Sequence, residues 1–553
     1  MGKSPEWGDT IFRRRERTMS DRKQTDLDRL AAMRREVGCG RMSRRDFIQL
    51  AMAAGVAATT ADAMFSQAKA DTPAKGGDLH LGISWGSTSN TLDPGPILDS
   101  YMGTVNLTIR SLLAEVDEKG NIGTDLAESF EPSNGTKTWA VKLRKGVTFH
   151  NGKDLTANDV VASVRHHMGP DTKSALKSSA KQIAEVKADG EYVIFNLKGG
   201  NADFPYFLGE HRLSIMPAKD NGDVDWQSGI GTGPYMLEEF KPGEVTRAKR
   251  FPNYYRDTWF DNVEILSIID PTARTNALLS GRLEVMDRCD PKTLKFMEQK
   301  PDIGIDKVTG YEHNTFAMIV TAPPFDNQDV RNALKYAIDR ESIVKRVFGG
   351  IGLPGNDNVV APSVKFATNP LPIHKYDPDQ AKSLLKKAGL SSLKVELSAA
   401  DVAFTGAVDA ATIFRESAAA AGIDLTVVRE PNDGYWDNVW QKKPFCASEW
   451  LGRPTADAVM TFEYAADSNQ NDTFWKSPHF NELLTSARSE LDEKKRAEMY
   501  AECQQLMHDD NGVIVIMFTT FVTAHAKNKV AHGPLLSSLD LDGFRICQRW
   551  WHT

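Results

Sequence analysis

The sequence predicts an α/β protein with more than one structural unit, and three observations carry the prediction. A chain of 553 residues that is 41% hydrophobic and 25% charged has material for a large core. Its second half alternates strand-like and helix-like patterns, the order of βαβ units. No Pro-rich or low-complexity linker divides it, so lobes that share strands fit better than independent domains. The same composition excludes a disordered chain, collagen, a small disulfide scaffold and a polytopic membrane protein. The net charge of −7 is uneven, with fourteen Lys and Arg against nine Asp and Glu in residues 1–70, and 53 against 65 thereafter. An acidic body does not suit binding to nucleic acid.

Residues 1–70 read as a targeting segment. Ser43-Arg44-Arg45-Asp46-Phe47-Ile48 precedes a short, modestly apolar run from Leu50 to Ala61, and Ala68-Lys69-Ala70 offers a cleavage site. The run is too short and weakly apolar to anchor in a bilayer, and the arginine pair resembles the bacterial twin-arginine export signal. A mature chain starting near Asp71, free in the periplasm and not inserted in the membrane, is expected. Of the cysteines, Cys289, Cys446, Cys503 and Cys547 follow that point, with no C-x-x-C or zinc-ligand spacing. Disulfides and buried thiols both remain open.

Leu79, Leu81, Ile83 and Trp85 alternate with polar or small residues, which predicts a half-buried strand, and Gly86-Ser87-Thr88-Ser89-Asn90 reads as the loop after it. Met102, Val105, Leu107, Ile109 and Leu112 predict a helix from Asp99 onward. Residues 114–227 are strand-rich, as in Thr138–Leu143 and Tyr192–Phe195, with one helix starting after Thr156 and Ala157. Further on, helices are predicted over 326–339 and 407–421, strands over 394–397 and 425–428, and two long helices over 480–491 and 493–509. The βαβ order implies a mainly parallel, right-handed unit, and a final apolar strand, Val513 to Phe518, brings the chain back towards the sheet.

Most catalytic motifs fail on context. Gly82-Ile83-Ser84-Trp85-Gly86 matches the G-x-S-x-G nucleophile elbow, but a loop follows instead of the helix that this chemistry needs. Gly229-Ile230-Gly231-Thr232-Gly233-Pro234 lacks the Lys-Ser/Thr of a phosphate loop, and Pro234 removes a backbone donor. The twelve histidines show no H-E-x-x-H, and His166 and His167 are neighbours on a predicted helix, where they cannot face one metal together. No cofactor and no metal is expected.

Several stretches in order resemble the peptide and nickel class (family 5) of extracytoplasmic solute-binding proteins, the receptors of ABC importers that include dipeptide- and oligopeptide-binding proteins. They are Leu126-Ala127-Glu128-Ser129-Phe130, the run from Leu143 to Gly152, Leu155 to Val160, Gly231-Thr232-Gly233-Pro234-Tyr235 and Asn253-Tyr254-Tyr255. Ser280 to Glu284, Pro324-Phe325 and Val330 to Leu334 continue the series. The resemblance implies an α/β, two-lobed periplasmic-binding-protein fold with a hinge, and a strand-rich subdomain inserted in lobe I. On that pattern lobe I comprises residues 76–107, 228–308 and 513–553, the insertion 108–227 and lobe II 309–512.

The resemblance also implies a function: a monomeric, non-enzymatic receptor that captures a small ligand or short peptide by lobe closure and hands it to an inner-membrane permease with its ATPases. Trp85, Ser87 and Asn90 correspond to the family's ligand loop in lobe I. Tyr435, Trp436, Trp450 and Arg453 correspond to its segment in lobe II, with His313 and Asn314 as further candidates. Peptide-binding members place an Asp shortly after the Trp, where it pairs with the ligand's ammonium. Here Arg453 stands in its place and Asp457 lies further on. A guanidinium fork matches a carboxylate and repels an ammonium, so the expected ligand is anionic: an acidic peptide, a polycarboxylate or a metal chelate. The competing reading pairs Arg453 with Asp457 and turns it away. The alternatives in function are a secreted serine hydrolase using Ser84 and a peptide carrier without a dedicated permease.

Overall fold

The computed structural model describes Met33, residues 42–53, Val56 and residues 73–553 apart from Leu98, Asn432 and Asp433. A helix, Arg44–Ala53, starts at the arginine pair and buries Phe47 and Ala51. The remainder of the apolar run, Cys39 and the Ala68-Lys69-Ala70 site lie outside the described residues. Among the described residues no helix is long and apolar enough to cross a membrane.

β1 (Asp78–Ile83) buries Leu79, Leu81 and Ile83, as their alternation predicts. The helix Ser100–Ile109 follows, N-capped by Asp99, whose carboxylate accepts from the Met102 amide at 2.8 Å. All ten of its residues are buried. Its polar members are small, and Thr104 and Thr108 return their hydroxyl protons to carbonyls one turn back.

The inserted strand-rich unit starts with the short pair β2 (Ala114–Val116) and β3 (Ile122–Thr124). β4 (Ala127–Ser133), β5 (Thr138–Leu143), β6 (Ile183–Asp189) and β7 (Tyr192–Leu197) form an antiparallel sheet in the order β4-β5-β7-β6. The helix Ala157–His166 opens with a capping box in which Thr156 donates its amide and hydroxyl to Asp159, at 2.9 and 2.6 Å. It packs Val160 and Val164 into one core with Val141 and Phe195.

The large sheet has eleven strands. After β1 its members are β8 (Tyr235–Lys241), β9 (Val245–Arg250), β10 (Asn262–Ser267), β11 (Val285–Met286) and β12 (Ile303–Met318). β13 (Leu353–Pro354), β14 (Leu393–Ala399), β15 (Ile423–Arg429), β16 (Phe445–Trp450) and β17 (Val513–Ala526) complete it. The order is β15-β14-β16-β12-β17-β11-β1-β10-β9-β8, with β13 beside β17. β1 runs parallel to β10 and β11, and β14 to β15 and β16, but β12 is antiparallel to both β16 and β17. The βαβ unit β14–β15 is parallel, as its strand–helix–strand order implies, while the sheet as a whole is mixed, because β12 and β17 are long strands that run antiparallel to their neighbours.

The first half of β17 is buried on both faces, which is why Val513 to Phe518 is continuously apolar. Ile514 and Ile516 join the core of β14–β16 with Leu334 and Phe414, while Val513 and Val515 join a second core with Met460, Tyr500 and Met507. Further along, Val522 and Ala524 enter a separate core with Leu278 and Met286. Between Thr309 and His313 the β12–β17 register slips, Thr309 facing Thr520 and His313 facing Phe518. Gly310 sits at the slip, where a Cβ would meet the Phe521 ring at 2.2 Å. The two long helices, Pro478–Ser489 and Glu493–Asp510, are capped by Ser477 and Asp492. β18 (Val530–Ala531) and β19 (Trp551–His552) close the chain as a small ribbon. The four cysteines after residue 71 are free and buried.

Candidate functional site

The loop after β1 is held from beneath. The Ser84 amide and hydroxyl both donate to the buried Asp287, at 2.8 and 2.7 Å. Gly86 follows at φ +144°, and a Cβ there would lie 2.3 Å from the Ser267 hydroxyl, so the chain must carry glycine at this bend. Trp85 is 44% exposed, with the Arg288 guanidinium 5.4 Å from its ring centre. Ser87 and Asn90 shape the loop: Asn90 accepts from the Ser87 amide at 2.7 Å and donates to Asp99 at 3.2 Å. The G-x-S-x-G context of a nucleophile elbow is not met, because β1 runs into a loop with no helix directly behind it and the Ser84 hydroxyl is held by Asp287, with no histidine bonded to it among the described residues.

In the other lobe β16 ends at Trp450, which pairs across the ladder with His313. Trp436, Trp440, Trp450 and Phe462 form a chain of edge contacts with ring centres 6.1, 6.0 and 6.1 Å apart, and Trp436 at its outer end is 42% exposed. At the inner end the Arg453 guanidinium lies 4.2 Å from the centre of the Phe462 ring. Tyr435 is a core residue, its hydroxyl donating to the Ala447 carbonyl at 2.9 Å. His313 is also buried; burial opposes its charge, but Glu463, 3.3 Å from Nε2, more than offsets this and raises its pKa. Asn314 is buried opposite Glu449, with its side-chain oxygen unpaired.

Asp457 does not pair with Arg453. It accepts twice from Arg488 Nε, at 3.0 and 3.1 Å, and the Arg488 fork also reaches the Thr461 hydroxyl at 2.7 Å. The N-terminal turn of the helix Ala456–Tyr464 turns the carboxylate towards the helix Pro478–Ser489, away from the segment before it.

Arg453 instead lines a small cavity of about 70 Å³ together with residues distant in sequence, among them Glu115, Glu210, Tyr311 and Leu539. Gly452 makes the approach possible: φ is +68°, and a Cβ would stand 2.2 Å from the Tyr311 carbonyl oxygen. Three guanidinium groups line the cavity. Arg212 pairs with Glu210 at 2.5 Å, and Arg545 pairs with Glu115 at 2.6 Å and with Asp125 at 3.2 Å. Arg453 donates to the Gly452 carbonyl at 2.8 Å, and among the described residues no carboxylate stands within ion-pair distance of it. Burial lowers its pKa and the nearby Glu210 opposes that change, so it stays a cation with spare donors.

Sequence reasoning missed a second polar cluster, centred on Arg288. Arg288 meets Glu312 and Asp540, each at 3.3 Å, with Asp287 and Glu449 close by. Burial and the neighbouring Asp540 raise the Asp287 pKa, and burial with the neighbouring Glu312 raises that of Glu449. Adjacency was the available signal: Glu312 precedes His313 and Glu449 precedes Trp450, both already candidates.

The model of the family described as bacterial extracellular solute-binding proteins, family 5 Middle, matches residues 121–472. The dipeptide-binding protein of Escherichia coli K12 is 27% identical over 439 residues, covering 71% of this chain and 80% of the relative. The glutathione-binding protein GsiB of Escherichia coli strain 536 is 25% identical over 469 residues, covering 81% and 90%. Among solved structures, AgaA from A. tumefaciens R10, in complex with agropinic acid, superposes with a TM-score of 0.72 at 23% identity over 86% of this chain and 99% of that one. The likeness is one of fold.

Proposed function

The chain belongs to the bacterial extracellular solute-binding proteins of family 5, and from that membership we propose that it is the periplasmic receptor of an ABC importer for a carboxylate-bearing small ligand. The twin-arginine pattern supports export to the periplasm, and the monomer would pass its load to a membrane permease driven by ATPases. Lobe I is assigned to residues 76–107, 228–308 and the C-terminal segment, and lobe II to 309–512, with Val513 to Phe518 grouped with lobe II on its packing. Trp85, Trp436 and Arg453 are the ligand contacts this reading favours, with Ser87 and Asn90 shaping the loop that carries Trp85.

The observation that carries the anion assignment is Arg453. It is the one of three cavity guanidinium groups with no carboxylate at ion-pair distance among the described residues. The names of the relatives agree with it, since a dipeptide, glutathione and agropinic acid each offer a carboxylate. The excess of carboxylates around Arg288 favours a ligand that carries an amine as well.

A thermal-shift series on the purified protein tests the assignment, because a ligand at a thousand times its Kd adds about 4 kcal/mol. Acidic peptides, polycarboxylates or metal chelates are expected to raise Tm, and Arg453→Ala to abolish that response without lowering the ligand-free Tm. An unchanged response in Arg453→Ala would overturn the anion contact while leaving the receptor reading standing.

A further inference from the structure

We propose that Asp306, His525 and His532 form a site for one divalent transition-metal ion, separate from the ligand cavity. One ligand atom from each, a carboxylate oxygen and two imidazole nitrogens, lies within 4.8 Å of the others. None of the three lines the cavity beside Arg453.

The strands bring them together. His525 on β17 faces Gly304 on β12, and Asp306 is two residues beyond Gly304, so both side chains rise from one face as a diagonal pair. A Cβ on residue 304 would stand 2.2 Å from His525 Cε1, so glycine opposite lets the imidazole lie across the strand towards Asp306. His532 arrives from the turn after β18 and is stacked on Trp550, with ring centres 4.3 Å apart.

Two details favour a metal over an ion pair alone. First, Asp306 Oδ2 and His525 Nδ1 are buried and 2.9 Å apart, yet neither has a hydrogen-bond partner of acceptable geometry. Second, His532 Nδ1 lies 2.7 Å from the Gly533 carbonyl, a contact that requires its proton, so in the neutral ring the lone pair is on Nε2, 3.3 Å from Asp306 Oδ2, where an ion would take the place of a second proton. Ligand atoms on a tetrahedral zinc with bonds of about 2.0–2.1 Å stand roughly 3.3 Å apart, close to the two edges that meet at Asp306, 2.9 and 3.3 Å, while the two imidazole nitrogens, within 4.8 Å, would draw in around the ion. Two imidazoles and one carboxylate suit zinc and its neighbours, whereas calcium and magnesium take oxygen ligands. An ion here would tie the C-terminal segment to the strands that cross between the lobes.

The sequence hid this site because Asp306 lies more than two hundred residues before the two histidines, and His525 and His532 carry no motif of their own. The test uses untagged protein dialysed against chelator, then titrated with Zn2+ and, separately, with Co2+. One zinc per chain, a rise in Tm with zinc, and the intense visible absorption of four-coordinate cobalt are expected. His532→Gln and Asp306→Asn should each weaken zinc binding by roughly tenfold or more and lose the cobalt band. His532 sits on a partly exposed turn, so its variant keeps the test decisive if Asp306→Asn fails to fold. No retained metal in the wild type, or an unchanged cobalt spectrum in His532→Gln, would overturn the proposal.

Discussion

Glu449 shows how a buried charge records its surroundings. It lies beside Glu312 on adjacent strands, and burial together with that neighbour holds its pKa above the usual carboxylate range. The folded protein therefore keeps a proton that the unfolded chain releases. This contribution to stability is fully present below the unfolded pKa and is lost as pH rises through the folded one. Ligand-free wild type should lose Tm as pH rises from 5 towards 8, and Glu449→Gln should flatten that slope; parallel curves would show that Glu449 does not titrate there. At this scale the sequence was only partly legible. Arg453 was found through its place in a family pattern, and the structure keeps it unpaired at a cavity wall. Asp457 and Tyr435 were candidates on the same grounds, yet one is clamped by Arg488 and the other is in the core. Spacing along the chain does not say which side of a turn a carboxylate or phenol takes, because that depends on helices that pack from elsewhere.

Elements were easier to read than contacts. The helices Ser100–Ile109 and Ala157–His166 start where their capping residues place them, and β1 keeps Leu79, Leu81 and Ile83 on the face that their alternation assigns, although it ends before Trp85, which is exposed in the loop. Only the apolar first half of β17 was legible as a strand, since Thr519 and Thr520 interrupt the pattern where it crosses between the cores. The Leu451–Pro454 segment has no regular pattern at all, and its shape depends on Gly452. Gly452→Ala should cost about 1–3 kcal/mol in urea unfolding, from the left-handed backbone plus the clash with Tyr311, and should displace Arg453 enough to weaken ligand binding. Gly146→Ala is the control: φ is +73° but nothing lies within 4 Å of the added Cβ, so only the backbone term of roughly 1 kcal/mol applies, with binding intact. Equal costs and equal affinities in the two variants would remove Gly452 from the site.

For the whole molecule, a cavity of about 70 Å³ has room for a few waters and none for a dipeptide. On the proposed ligand site, access requires the lobes to part, and the β12–β17 register slip at Thr309–His313 is the place we assign to the hinge. Small-angle scattering should show a larger radius of gyration without ligand than at saturation. An identical radius in the presence of a ligand that raises Tm would mean that binding needs no closure. The overall fold was legible because many weak motifs occur in one order over most of the chain, and it is matched by solved structures at low identity.

The position of β17 bears on the making of the protein. In the order of the large sheet it is the link between β12, with the strands beyond it, and β11 and β1 on the other side. It is also the last strand of that sheet to be synthesised. Without residues 513–526, no ladder joins β15-β14-β16-β12 to β11-β1-β10-β9-β8. The large sheet therefore becomes one only when a segment translated late inserts between strands translated earlier.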